Sequence, residues 1–186
     1  MTTNRGRLLH LIRTRAYRAG EVTLASGRTS DFYIDGKMIE ISPEGAYLIG
    51  EVLHEQIRGM NAVAVGGLAV GAVPLVASIV ISAYHHGSGI EGFFVRDEAK
   101  SHGTMKVIEG YLPNPGDRIV VIDDVITSGK SVMKAIEAVK ARGAEIAGVL
   151  AIVDRDAGAR QFFESQGYRY ESVFTKQDVL EGMPGK

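Results

Sequence analysis

Apolar positions change period along the chain, from helical spacing at the start to short continuous runs further on. In residues 5–19, Leu8, Leu9, Leu11, Ile12 and Ala16 form one side of an amphipathic helix, with Gly20 to close it. Residues 22–37 alternate over short stretches around Ser26 and Gly27, which predicts a hairpin or an irregular β element. Ser42, Pro43 and Glu44 then supply a capping hydroxyl, a first-turn proline and an early acid. The helix they open is lined by Tyr47, Leu48, Leu53 and Ile57 and ended by Gly59. Buried strands are predicted at 62–65, 90–95, 119–122, 144–154 and 168–174. Between them lie a glycine-rich turn at 66–71 leading into an apolar helix, and an amphipathic helix carrying Val132, Ala135, Ile136 and Val139 up to Gly143. Short helices are expected from Asp156 to Gly167 and over 175–180. The β-branched run 119–122 has the pattern of a strand covered on both faces, so the fold class is α/β with a mainly parallel sheet flanked by helices.

At 186 residues and 45% hydrophobic content, the chain has material for one sizeable core, and a single domain over 1–186 is expected. A net charge of −1 without a lysine or arginine run argues against a broad nucleic-acid surface, though not against local anion sites. Cysteine is absent, which removes disulfides and thiolate chemistry, and the five histidines show no H-E-x-x-H spacing. The longest apolar stretch, 68–84, is broken by Gly71 and Pro74, and the first residues lack a signal-peptide core. The expectation is a cytoplasmic protein with no membrane or nucleic-acid partner.

Chemistry concentrates in RIVVIDDVITSGKSV, residues 118–132. A buried strand ends in Asp123 and Asp124, where open α/β sheets place their ligands, and a hydroxyl-and-glycine turn leads into a helix. The helix start, with free N–H groups and partial positive charge, suits a phosphate. Gly129-Lys130-Ser131 imitates the end of a P-loop, but Asp124 stands where its first glycine is needed and would repel a nucleoside triphosphate. Beside a ribose, two adjacent acids accept hydrogen bonds from the 2- and 3-hydroxyls while the turn holds a 5-phosphate. The loop reads as a ribose-5-phosphate cradle.

Hydrophobic strand, Asp-Asp and Thr-Ser-Gly-x-Ser together resemble the phosphoribosyl-pyrophosphate (PRPP) signature of type I phosphoribosyltransferases. The segment L-x-S-G-x-x-S-x-x-Y-x-D, beginning at Leu24, is similar to the one with which orotate phosphoribosyltransferases cover the pyrimidine. R-x-x-x-K-x-H-G, beginning at Arg96, resembles that family's mobile catalytic loop. The resemblance spans about residues 8–180. It implies the type I fold with a small N-terminal hood at about 20–40 and a catalytic loop at about 96–110.

By the same resemblance, Arg96, Lys100 and His102 join Asp123, Asp124, Val125, Ile126, Thr127, Ser128, Gly129, Lys130 and Ser131 in binding PRPP. Lys100, His102, Asp123 and Asp124 carry the catalysis, and Gly66, Gly67 and Gly71 form the pyrophosphate loop. Ser26, Tyr33, Thr127 and Arg155 hold orotate, Arg155 taking its carboxylate. Magnesium (Mg2+) is expected through PRPP and water rather than through protein ligands. A homodimer is implied, with each catalytic loop closing over the neighbouring subunit's PRPP. Ala25, Asp97, Met105 and Lys130 depart from common family residues, and Asp97 removes one positive charge from the loop. Two rivals remain: a purine phosphoribosyltransferase, disfavoured by a carboxylate-binding arginine, and a non-catalytic PRPP sensor, disfavoured by the retained loop.

Overall fold

The computed structural model describes residues 3–23, 29–97 and 107–181. Helix α1 (Asn4–Leu11), capped by the Thr3 hydroxyl, runs through a π-helical turn (Ile12–Ala16) into strand β1 (Tyr17–Thr23). β1 pairs antiparallel with β2 (Thr29–Ile34), Tyr17 opposite Ile34. The helix expected to reach Ala19 therefore stops early, and Gly20 lies inside β1, beside a register shift, instead of closing a helix. Tertiary contacts override the helical spacing here. The Ala16 carbonyl accepts from the Asp35 N–H, Tyr17 stacks on Phe32, and extending the chain gives β2 its partner.

The short helix α2 (Lys37–Glu40), absent from the sequence expectation, joins this hairpin to α3 (Pro43–Arg58), whose Ser42 cap and first-turn proline are as anticipated. Next come β3 (Ala64–Leu68), α4 (Ala72–His85), β4 (Glu91–Val95), β5 (Ile108–Gly110), β6 (Arg118–Ile126) and α5 (Lys130–Lys140). β7 (Glu145–Asp154), α6 (Ala159–Ser165), β8 (Tyr170–Thr175) and α7 (Lys176–Leu180) complete the chain. α7 begins in a Thr175–Asp178 capping box.

The large sheet has the order β5-β4-β3-β6-β7-β8 and is parallel except for β5, which runs antiparallel to β4. Along β6 the side chains alternate between two cores. Val120 and Ile122 pack with α3 and α4 on one face, while Ile119 and Val121 pack with α5 and α6 on the other. This double burial accounts for the unbroken apolar run. β3 continues into a helix on one face and its neighbour β6 into a helix on the other, so the sheet's switch point lies between them.

Four boundaries differ from expectation, the first two in ways that shape this crevice. Gly66 and Gly67 belong to β3 rather than to the turn after it, because bare backbone is needed there: a Cβ at Gly66 would strike the Phe93 ring. β6 runs four residues further than predicted, through Asp123 and Asp124, since β7 keeps pairing with it up to Ile126. Residues 108–110, expected within a loop, form an edge strand with Ile108 buried opposite Val95. Asp156 does not cap α6, which begins after Gly158.

Candidate active site

At the carboxyl end of β6 the backbone folds the acid pair onto itself. The Asp124 N–H donates to Asp123 Oδ1 at 3.1 Å and the Val125 N–H to Asp124 Oδ1 at 2.9 Å, which fixes both side chains in the strand's last turn. Beyond Ile126 the chain turns through Thr127, Ser128 and Gly129, and Gly129 adopts φ +77° as it enters α5. Only glycine fits there, because a Cβ would also lie 2.6 Å from the Phe163 ring. Among the described residues no side chain caps α5, and its first residues border the crevice.

Tyr33, Ile34, Lys37, Asp124, Val125, Thr127, Ser128, Gly129, Lys130, Ser131 and Arg155 line one cavity of about 520 Å³. The structure thus brings together the hydroxyl turn, Asp124, and two residues assigned to the base, Tyr33 and Arg155. Arg155 follows β7 and is only 7% exposed. Its backbone N–H donates to the Ile126 carbonyl, its Nη2 donates to the Phe32 carbonyl at 3.0 Å, and its guanidinium lies 4.4 Å from the centre of the Phe32 ring. The hood hairpin is thereby tied to the end of the sheet. Tyr33, the next residue on β2, is 41% exposed and borders the cavity.

Asp123 and Ile126 do not line this cavity. Ile126 is buried, so only its backbone is available, while Asp123 faces the loop after β3, where a Cβ at Gly71 would stand 3.2 Å from Asp123 Oδ1. Gly66 and Gly67 sit one step back, inside the sheet. Arg96, at the end of β4, donates to Glu109 of β5 at 3.0 Å, and Asp97 pairs with Lys134 of α5. Ser26, Lys100 and His102 lie outside the described residues, as do Ala25 and Met105.

Two residues of the site were not among the sequence candidates, and both come from α2. Lys37 Nζ bonds Asp124 Oδ2 at 3.2 Å. Glu40 is 2% exposed, and neither of its oxygens receives a hydrogen bond from a described donor. Burial, reinforced by the charge of Asp124, pushes Glu40 up to about 8. The same two causes push Asp123 up to about 7. Lys37 loses some basicity to burial, but the charges of Asp124 and Glu40 outweigh this and raise it. Nothing in the sequence flagged Glu40. Lys37 stood only as the end of the hairpin segment.

The arrangement suits a sugar phosphate: hydroxyls and helix N–H groups for a phosphate, a fixed carboxylate for hydroxyls, and an arginine with an aromatic face across the gap. The sequence pattern of the phosphoribosyl transferase domain matches residues 35–167. An orotate phosphoribosyltransferase from Bradyrhizobium diazoefficiens is 42% identical over 97% of this chain and 98% of its own. The Mycobacterium tuberculosis orotate phosphoribosyltransferase, crystallised with Fe(III) dicitrate, superposes with a TM-score of 0.84 at 36% identity, covering 97% of this chain and all of that one. Its complex with PRPP superposes at 0.79 with 33% identity, over 95% of this chain and 99% of that one. The chain belongs to the phosphoribosyltransferase family and, within it, to the orotate phosphoribosyltransferases.

Proposed function

We propose that the protein transfers ribosyl-5-phosphate from PRPP to a ring nitrogen of orotate, giving orotidine 5-phosphate and pyrophosphate in pyrimidine biosynthesis. The observation that carries this is one cavity lined by Asp124, by the hydroxyl turn at the start of α5, and by Tyr33 and Arg155. The bond from C1 of the ribose to pyrophosphate breaks with its electron pair on the leaving oxygen. The orotate nitrogen forms the new bond to C1, and its proton leaves to solvent or pyrophosphate. No covalent nucleophile is needed.

If the C1–oxygen bond breaks early, positive charge gathers on the ribose ring. Asp124, held by its own backbone bond and by Lys37, is placed to bind the sugar hydroxyls and to favour that cation. Asp123 acts beside it, next to the Gly71 turn that we assign to the pyrophosphate. Thr127, Ser128 and Ser131, with the first N–H groups of α5, take the 5-phosphate, and Lys130 adds a cation at the rim. Arg155 takes the orotate carboxylate, and Tyr33 offers its ring to the pyrimidine.

Residues 98–106 connect Asp97 to Val107, and the Arg96 N–H bonds the Val107 carbonyl, so both ends of this segment are held at the β4–β5 edge. We assign Lys100 and His102 to the leaving pyrophosphate, with closure excluding water from the reactive sugar. Among the described residues no group of three or more His, Cys, Asp or Glu is placed to hold a metal. We assign magnesium to the substrate, since a hard dication prefers phosphate oxygens and water, and there it would offset charge on the departing pyrophosphate.

A homodimer is proposed on a separate observation: Tyr47 of α3, Ile81 and Tyr84 of α4, and Val70 before it are all exposed apolar side chains. We assign their burial to a second copy of the chain, and the closing of its catalytic loop over this site rests on the family resemblance alone. We assign the reaction to the cytoplasm, a reading that rests on the cysteine-free composition.

The test is loss of orotate absorbance on mixing the protein with PRPP and magnesium, the product identified by mass. Hypoxanthine, adenine and uracil serve as competing acceptors. Turnover with a purine and none with orotate would replace this reading with the purine one. PRPP binding without turnover on any base would favour a sensor.

A further inference from the structure

We propose that Glu40 is a positioning residue for the sugar site, a buried acid that keeps its proton and shares it with Asp124, steadying that carboxylate while sparing the cavity a second negative charge. The inference rests on the reading of Asp124 as the ribose-binding carboxylate.

The geometry comes first. Glu40 is the last residue of α2 and is 2% exposed, and neither oxygen receives a bond from a described N–H or O–H group. An ionised carboxylate so placed would be uncompensated, at a cost far above that of a neutral acid. Its carboxyl occupies the notch left by the missing side chain of Gly36. A Cβ there would overlap Glu40 Oε1 and stand 2.9 Å from Asp124 Oδ2, so Gly36, Glu40 and Asp124 share one small space. Two carboxylates cannot bond each other, but a carboxylic acid can donate to a carboxylate, and Asp124 is the acceptor within reach.

The surrounding charges favour the same assignment. Asp124 and Asp123 face Glu40 from β6 and oppose its ionisation, whereas Lys37 on its own helix is the cation that partly offsets them. The π-turn also packs against α2, but Arg13 is committed to the Val179 and Asp178 carbonyls and Arg15 is exposed. On the first turn of α3, Glu44 pairs with Arg7 at the surface. Burial and Asp124 together raise Glu40 to about 8, so near neutral pH it is a donor and in mild alkali an added anion. PRPP is itself strongly anionic, and that added charge opposes its entry.

Asp123, raised to about 7, titrates in the same region but with the opposite effect, since its ionisation supports the cationic ring. The two are told apart by the constant each one moves: ionisation of Asp123 raises turnover, and ionisation of Glu40 weakens PRPP binding. Lys37 is raised from an already basic value and remains charged throughout.

The experiment measures kcat and KM for PRPP from pH 6 to 9 in the full-length protein with magnesium, comparing wild type with Glu40→Gln, Glu40→Ala and Gly36→Ala. Glutamine keeps a neutral donor and cannot ionise. The wild-type KM is expected to rise by up to about tenfold from pH 7 to 9, the limit set by one group titrating near 8. The ratio of wild type to Glu40→Gln cancels the titration of PRPP itself and isolates this limb, while the kcat rise near 7 is common to both proteins. Glu40→Ala and Gly36→Ala, which remove or displace the donor, should each weaken PRPP by about tenfold at pH 7, the weight of one hydrogen bond to a charged group.

An alkaline KM limb in Glu40→Gln as steep as in wild type would overturn the proposal, as would a Glu40→Ala protein that binds PRPP normally at pH 7. If Glu40→Ala does not fold, Glu40→Gln and Gly36→Ala decide the matter. A wild type that neither turns over nor binds PRPP would remove the functional reading together with this inference. A fully active wild type with an unaltered pH profile in Glu40→Gln would remove the inference alone.

Discussion

The two sides of the cavity are built differently. On the sugar-phosphate side, β6 and α5 form one continuous strand–turn–helix, in which the acids bond their own backbone and the turn is shaped by a single glycine. On the base side, Tyr33 and Arg155 lie more than a hundred residues apart in sequence. Arg155 brings them together by holding the Phe32 carbonyl and ring. On the proposed reading, charge chemistry thus sits on a locally determined element, and base recognition on a tertiary clasp. A mutation on one side should change a different kinetic constant from a mutation on the other.

The largest separation is expected from Asp124→Asn. Asparagine keeps the shape but loses the charge that favours a cationic ribose, so kcat should fall by about two to three orders of magnitude, the scale of a lost electrostatic stabiliser. Its orotate KM should change little. Steady-state kinetics would contradict the assignment if kcat fell less than about fivefold.

Arg155→Ala should do the reverse. Losing a guanidinium–carboxylate pair is worth about 2–3 kcal/mol, or roughly 30- to 150-fold in the orotate KM, with PRPP affinity nearly unchanged. Some loss of stability will accompany it, because the hood loses its anchor at Phe32. An unchanged orotate KM would remove Arg155 from the base site.

Glu40 provides a stability test independent of turnover. Its value in the fold, about 8, lies above the ordinary glutamate value of about 4.3. The fold therefore binds a proton that the unfolded chain releases. This contribution is fully present below about pH 4.3 and is lost as pH rises through about 8. Glu40→Gln should equal wild type in acid and exceed it by about 5 kcal/mol at pH 9, read from denaturant midpoints. Parallel curves at all pH values would contradict the buried-acid assignment.

Gly129→Ala should cost about 1–3 kcal/mol, from the left-handed backbone and the crowding of Phe163, and should weaken PRPP more than orotate. The smallest effect belongs to Asp97→Ala. Its ion pair with Lys134 is exposed, so the loss should stay within about 1 kcal/mol and shrink in high salt. A larger effect on kcat would mean that this pair positions the catalytic loop.

The same contrast explains what could be read from the chain alone. The acid pair, the hydroxyl turn and the helix behind it are consecutive residues, so their pattern survives in one dimension. Arg155 was legible through its place after a strand and through family resemblance, but not its bond to Phe32, which spans 123 positions. Lys37 was overlooked as a site residue because its partner Asp124 lies 87 positions away. Glu40 had even less signal, on a four-residue helix too short to show a period of its own. The first half of β1 and the edge strand β5 went unread for the same reason. Each is stabilised by a partner, β2 or β4, rather than by its own spacing.

One comparison tests the division of labour most directly: orotate consumption with PRPP and magnesium, measured side by side for wild type, Asp124→Asn and Arg155→Ala. Wild type should yield orotidine 5-phosphate, Asp124→Asn should lose kcat at a near-normal orotate KM, and Arg155→Ala should lose orotate affinity at a near-normal PRPP KM. Absence of orotate consumption by wild type, or the same constant altered in both variants, would contradict it.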